Sequence, residues 1–219
     1  MTIDLNTQAG RKQAYRDLIW GDHGFLRLWF HNHHHIGKQM YRENQPSPKR
    51  IKKLADMGIK TIINLRGESE KGYYLLEKEA CKTYGITLVD FRMYSRDTPK
   101  VDAINGIKEI FETIQYPALM HCKSGADRTG IAGVLYKHFN LGEPIDKAME
   151  QLGLKYLHMK AGKTGMLDYF FQTYLDGPAQ QGLEFLDWIN GDYDRLKVKA
   201  GFMSSWIGAV WTDKILRRE

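Results

Sequence analysis

The stretch Tyr116-Pro-Ala-Leu-Met-His-Cys-Lys-Ser-Gly-Ala-Asp-Arg-Thr-Gly130 leaves this chain the least freedom. Residues 118–121 make an apolar run of strand length, and Ile131, Val134, Leu135, His138 and Phe139 then recur at helical spacing. Cys122 to Arg128 is therefore expected as a tight strand-to-helix loop. The first helical turn has N–H groups without partners, and the helix dipole adds partial positive charge there. The amides of Lys123, Ser124, Gly125, Ala126, Asp127 and Arg128 are expected to converge and cradle an anion, with Gly125 allowing the sharp turn.

A cysteine at the mouth of such a cradle, beside Arg128, is drawn below the ordinary thiol pKa of about 8.5 and becomes a nucleophilic thiolate. The planar fork of Arg128 can hold two oxygens of a phosphate group while that group changes geometry. A buried structural cysteine before an ordinary helix is the bland alternative, and it leaves the oriented amides without a purpose.

At this point the stretch resembles the cysteine-dependent protein tyrosine phosphatase superfamily, whose signature runs His-Cys, five residues, Arg, then Ser or Thr and usually Gly. His121, Cys122, Arg128, Thr129 and Gly130 match it residue by residue. The resemblance implies that Cys122 takes the phosphoryl group as phosphocysteine, that Arg128 and the amides of 123–128 bind phosphate, and that the Thr129 hydroxyl helps release the thiolate. It implies a central, mostly parallel sheet with helices on both sides, of the dual-specificity-like bacterial branch. Residues 36–46 resemble the first strand of that group, and residues 54–66 its next helix and strand. The resemblance covers about residues 36–175 of a single domain 1–219, with 1–35 and 176–219 as extensions. Rhodaneses and low-molecular-weight phosphatases share the cysteine-loop idea, but in the latter the loop lies near the N-terminus and the acid downstream.

In the superfamily a mobile loop upstream of the cysteine strand supplies an aspartic acid that protonates the leaving oxygen and later activates water. Asp97 stands in that place, before a helix expected to begin with Thr98 as N-cap and Pro99 at its first position. Asp127 competes for the role, or pairs with a basic group and shapes the loop. Lys123 also occurs in phosphoinositide-cleaving relatives, which favours substrates bearing several phosphates. Cys81, on a helix expected to stop at Gly85, is a resolving thiol only if the fold brings it to Cys122.

At 219 residues and 42% apolar content the chain can bury a full core. Its two cysteines exclude a disulfide framework, and Met1-Thr-Ile-Asp-Leu-Asn-Thr-Gln lacks the basic and apolar regions of a secretory signal, so a cytoplasmic location is expected. The net charge of +6 suits an anionic substrate, while the spread of Lys and Arg without a binding motif argues against nucleic acid. His31, His33, His34 and His35 have neither helical spacing nor a neighbouring carboxylate, so no metal or other cofactor is expected.

Residues 11–30 mix basic groups with Leu18, Ile19, Trp20, Phe25, Leu26, Leu28, Trp29 and Phe30. That content suits a segment lying on a membrane, but Gly21 and Gly24 interrupt any single helix, and packing into the core or over the site as a lid is expected. Helices are expected at 48–57, 144–152, 164–175 and 183–189. The tail 202–216, with Trp206, Trp211 and Lys214 ahead of Arg217 and Arg218, is expected to dock on the domain, with peripheral membrane contact as the alternative. The substrates left open are a phosphorylated protein and a phosphorylated lipid or inositol; a phosphate-binding module without turnover is a third reading.

Overall fold

In the computed structural model residues 3–27 and 29–216 are described, residues 207–216 as helix backbone only. Five strands form one sheet, β1 (His34–Gly37), β2 (Met40–Asn44), β3 (Thr61–Asn64), β4 (Thr87–Asp90) and β5 (Ala118–Cys122), in the order β1-β2-β5-β3-β4. β2, β5, β3 and β4 run parallel, and β1 pairs antiparallel with β2. The expected first strand is thus a hairpin, turned at Gly37 and Lys38, both with positive φ. β5 lies in the middle of the sheet and is buried along its whole length, as an apolar run bounded by a turn predicts.

Adjacent strand residues point to opposite faces, and the sequence uses both. Ile62 and Leu119 meet Ile51 and Leu54 of α2 (Pro48–Asp56) and Ala80 and Cys81 of α3 (Gly72–Thr83). Ile63 and Met120 face the larger core, built by α4 (Val101–Thr113), α5 (Asp127–Leu141), α7 (Met166–Asp176) and α8 (Phe185–Asn190). A short α6 (Ile145–Ala148) joins α5 to this layer. Full burial of each Ile, Leu or Met contributes roughly 1.5–3 kcal/mol, so the two faces together hold β5 rigidly. α2 begins as its sequence demands, with the Ser47 hydroxyl accepting from Arg50 N at 3.3 Å and Pro48 in the first turn.

Two expectations change, and the condition set for Cys81 is not met. α4 begins at Val101, after extended Lys100, because the Thr98 hydroxyl donates to the Arg195 carbonyl at 3.1 Å and Pro99 O accepts the Tyr193 hydroxyl at 2.8 Å. The long last helix α9 (Arg195–Leu216) therefore pins the segment that would otherwise open α4. The N-terminal segment packs only in part: α1 (Gln8–Arg16) and Leu18 bury against Leu76 of α3, but Trp20, Leu26 and Trp29 point outward, and Leu28 lies outside the described residues. Cys81 sits in the α2/α3 cluster and Cys122 in the other, so Cys81 is not placed to resolve an oxidised Cys122.

The tail docks through Val198 and Phe202, and Trp206 Nε1 donates to Ala161 O at 3.3 Å. The side chains of Trp211 and Lys214, and Arg217 and Arg218 altogether, lie outside the described residues. Among the described residues no helix is long and apolar enough to cross a membrane.

Candidate active site

The loop after β5 is shaped from outside by its carbonyls. Gln45 N donates to Lys123 O at 3.3 Å, Asn32 Nδ2 to Ser124 O at 3.1 Å, and Arg42 Nη2 to Gly125 O at 2.7 Å and Ala126 O at 3.3 Å. In a trans peptide the N–H points opposite to the carbonyl, so the amides of Ser124, Gly125, Ala126 and Asp127 turn inward. Gly125 has φ +72°, and a Cβ there would sit 2.7 Å from Glu43 O, so both backbone and space require glycine.

Arg42 of β2, fully buried, completes this arrangement with bonds to Gln151 O at 2.9 Å and Oε1 at 2.8 Å, and lies 4.0 Å over the Tyr156 ring. Burial lowers its pKa to about 10, which leaves it charged at neutral pH. Arg42 thus sets the loop carbonyls and places a positive charge beneath them. Nothing in the sequence pattern of β2, Met-Tyr-Arg-Glu-Asn, marks it, since its partners lie more than eighty residues away.

Cys122 ends β5 opposite Asn44 of β2 and is only 2% exposed, at the base of the loop. Burial pushes its thiol pKa up, but the Arg128 charge, the Thr129 hydroxyl and the N–H groups of Thr129 and Gly125 outweigh it and bring the pKa below the ordinary value. The Thr129 hydroxyl is buried and has no hydrogen-bond partner in the structure, so it is free to serve the thiolate. None of the hydrogen bonds or ion pairs among the described residues uses the Arg128 guanidinium, which faces the cleft above the loop. Behind the cysteine, His121 Nε2 lies 2.7 Å from Glu77 of α3, which also accepts Gln45 Nε2 at 2.8 Å. Burial disfavours the imidazolium, yet Glu77 overrides it and the His121 pKa is raised.

The two aspartates have different surroundings. Asp97 shares a shallow hollow with Arg128, but its carboxylate turns to α9, paired with Arg195 and, at 3.1 Å, with Lys199 Nζ. Asp127, at the start of α5, accepts from His158 Nδ1 at 2.8 Å, while His158 Nε2 bonds Asp168 at 2.7 Å. Burial works against a charged His158, but the two carboxylates raise its pKa to about 9. Neither His158 nor Asp168 was singled out from the sequence; an aspartate inside the apolar Met166–Asp176 helix was the readable hint.

The cleft over the loop has a volume of about 500 Å³ and is lined by Lys123, Ser124, Asp127 and Arg128 with Arg27 and Arg96. Buried Asp22 braces its positive wall, with Arg27 and Arg66 each at 2.7 Å and Lys123 at 3.7 Å. Burial raises the Asp22 pKa, but the Arg66 bond and the surrounding cations lower it overall, so it stays a carboxylate. Arg66 is thereby a brace in the protein wall, further fixed by Gln45 Oε1 at 2.7 Å and the Tyr73 ring. The structure brings Cys122, Lys123, Ser124, Gly125, Ala126, Asp127, Arg128 and Thr129 together, and holds Asp97 at the rim.

A mostly parallel sheet whose central strand delivers a low-pKa cysteine into inward-facing amides, with arginine in the following helical turn, is the architecture of the cysteine-dependent dual-specificity and tyrosine phosphatases. Residues 31–164, well over half of the chain, match the family described as DSP-PTPase phosphatase fused to NAD+ kinase, and the chain belongs to that family. Among curated proteins it is 27% identical over 122 residues to an inositol diphosphatase of Arabidopsis thaliana, covering 53% of this chain and 60% of the relative. A second Arabidopsis thaliana inositol diphosphatase is 28% identical over 100 residues, 43% of this chain and 49% of the relative. The chain thus spans about half to three fifths of the length of these relatives.

Two solved structures share the fold. The core catalytic domain of a PP-IP phosphatase from S. cerevisiae, in complex with citrate, superposes with a TM-score of 0.53 at 18% identity, over 70% of this chain and 93% of that one. TpbA of P. aeruginosa gives 0.52 at 15% identity, over 65% and 84%.

Proposed function

We propose that this chain, read as one phosphatase domain, hydrolyses a phosphate monoester carried on a polyanionic, inositol-phosphate-like group. The observation that carries the reading is the outward anchoring of four successive loop carbonyls around a cysteine whose pKa is lowered. Such a ring stabilises the charge that develops on phosphate oxygens during transfer. The names of the Arabidopsis thaliana relatives and the cations Lys123 and Arg96 around Arg128 support a substrate with more than one phosphate. A phosphoprotein substrate shares the first phosphate but makes no use of the additional cations.

The chemistry balances in two steps. The Cys122 thiolate attacks phosphorus, the ester P–O bond breaks, and the departing oxygen takes a proton. Water then attacks phosphorus, gives up a proton to the carboxylate left behind, and the S–P bond breaks to return thiolate and inorganic phosphate. Arg128 and the loop amides hold the non-bridging oxygens, and the Thr129 hydroxyl donates to the departing sulfur. For the proton step the surroundings favour Asp127 over Asp97: Asp127 lines the cleft, and its partner His158 keeps a proton to about pH 9, so the pair can supply one. Asp97 takes that role only after leaving Arg195 and Lys199. Phosphate release from inositol phosphates, a phosphotyrosine peptide and a lipid phosphate, with Cys122→Ser as blank, tests the reading. No release from any of them above the blank overturns it.

A further inference from the structure

Among the described residues, several large apolar side chains that the core does not take stand on the two segments that wall the cleft, while others, such as Met57 and Tyr84, lie elsewhere on the surface. Trp20, Leu26 and Trp29 on the N-terminal lip are 67%, 63% and 91% exposed, and Met159 on the facing lip is 63% exposed. Leu26 and Phe30 from one lip and Leu157 from the other reach the cleft wall beside Lys123 and Arg128. The lips are tied across the loop, since Asn32 Nδ2 donates at 3.1 Å both to Ser124 O and to Tyr156 O. Singly scattered apolar groups on a surface require no explanation, whereas a concentration at one mouth marks a surface that meets something.

Charge identifies what it meets. Inside the apolar rim the cleft presents Arg27, Arg96, Lys123 and Arg128; the nearby carboxylates are each already paired, Asp22 with Arg27 and Arg66, Asp127 with His158, and Asp97 with Arg195 and Lys199. Exposed tryptophan and leucine side chains beside a cationic cleft offer both contacts that an anionic bilayer surface accepts, an apolar one at the acyl boundary and a positive one at the phosphate layer. We infer that this rim seats the cleft on an anionic lipid surface, so that the phosphate meeting Cys122 is carried on a lipid headgroup. The inference rests on the phosphatase reading above and names the carrier of its substrate. A free inositol phosphate presents the same phosphate chemistry but has no use for the rim.

The test is co-sedimentation of the full chain carrying Cys122→Ser with phosphatidylcholine vesicles, with and without phosphatidylserine, compared with the same chain also carrying Trp20→Ala and Trp29→Ala. Binding to the anionic vesicles alone, weakened by added salt and weakened about tenfold or more by the two tryptophan substitutions, is the expected result. An unshifted thermal midpoint shows that the substituted chain is folded. Failure to bind anionic vesicles, equal binding to neutral ones, or binding indifferent to both tryptophans overturns the inference. Self-association lost with the same substitutions, in a chain that ignores vesicles, overturns it in favour of a second copy at the rim. Because vesicle binding is read without turnover, a failed phosphatase assay leaves this result standing by itself.

Discussion

His158 donates from Nδ1 to Asp127 at 2.8 Å while its other nitrogen bonds Asp168 at 2.7 Å, so one imidazole joins the loop to α7. Its pKa stands at about 9, above the ordinary value of 6.5. A group whose pKa is raised on folding contributes stability that is fully present below its unfolded pKa and is lost as pH rises through the folded one. Urea unfolding should therefore show a loss on the order of 2 kcal/mol between pH 6.5 and pH 10 that is missing from His158→Gln. Equal pH dependence in the two chains would mean that the imidazole is neutral in the fold.

Asp127→Asn and Asp97→Asn separate the two candidates for the proton step. Loss of a general acid lowers turnover roughly 10²–10⁴-fold for esters with poor leaving groups, and less for p-nitrophenyl phosphate, whose leaving oxygen hardly needs the proton. The expected pattern puts that loss on Asp127→Asn, with a smaller effect from Asp97→Asn through its contacts with Arg195 and Lys199. The reverse pattern would show that the upstream loop swings free of α9 during catalysis.

Arg42 holds two loop carbonyls without touching the cleft, so it acts by position. Arg42→Lys keeps a charge but loses the fork, leaving at least one buried carbonyl unpaired at a cost of about 1–3 kcal/mol. The Cys122 pKa should rise with it, read as an upward move in the pH midpoint of iodoacetamide alkylation. A destabilised chain with an unmoved midpoint would limit Arg42 to a packing role.

What could be read from sequence follows how local each signal is. The strand, loop and helix of 118–141, and the Ser47-Pro48 start of α2, rest on neighbours within one helical turn and formed as expected. Thr98-Pro99 carried an equally local signal, but Arg195 and Tyr193 captured both residues and moved the helix start to Val101. The groups that set the loop, Asn32 and Arg42, and those that hold Asp127, His158 and Asp168, come from elements whose meeting no spacing announces. Trp20 and Trp29 failed in the other direction, since apolar character predicts burial but does not say against what.

Thr129 offers the sharpest test of the sulfur itself. Its hydroxyl is buried, has no other hydrogen-bond partner and helps to lower the Cys122 pKa. Thr129→Val keeps the shape and removes the donor; a hydrogen bond to a charged group is worth about 1.5–3 kcal/mol, which corresponds to a rise of roughly 1–2 units in the thiol pKa. The same hydroxyl stabilises the thiolate as it leaves phosphorus, so the second step should slow more than the first. With p-nitrophenyl phosphate that difference appears as a nitrophenol burst followed by a slower steady rate, in a chain whose alkylation midpoint has moved up. If Thr129→Val shifts neither the midpoint nor the steady rate, the hydroxyl does not serve the sulfur, and the thiolate depends on Arg128 and the backbone amides alone.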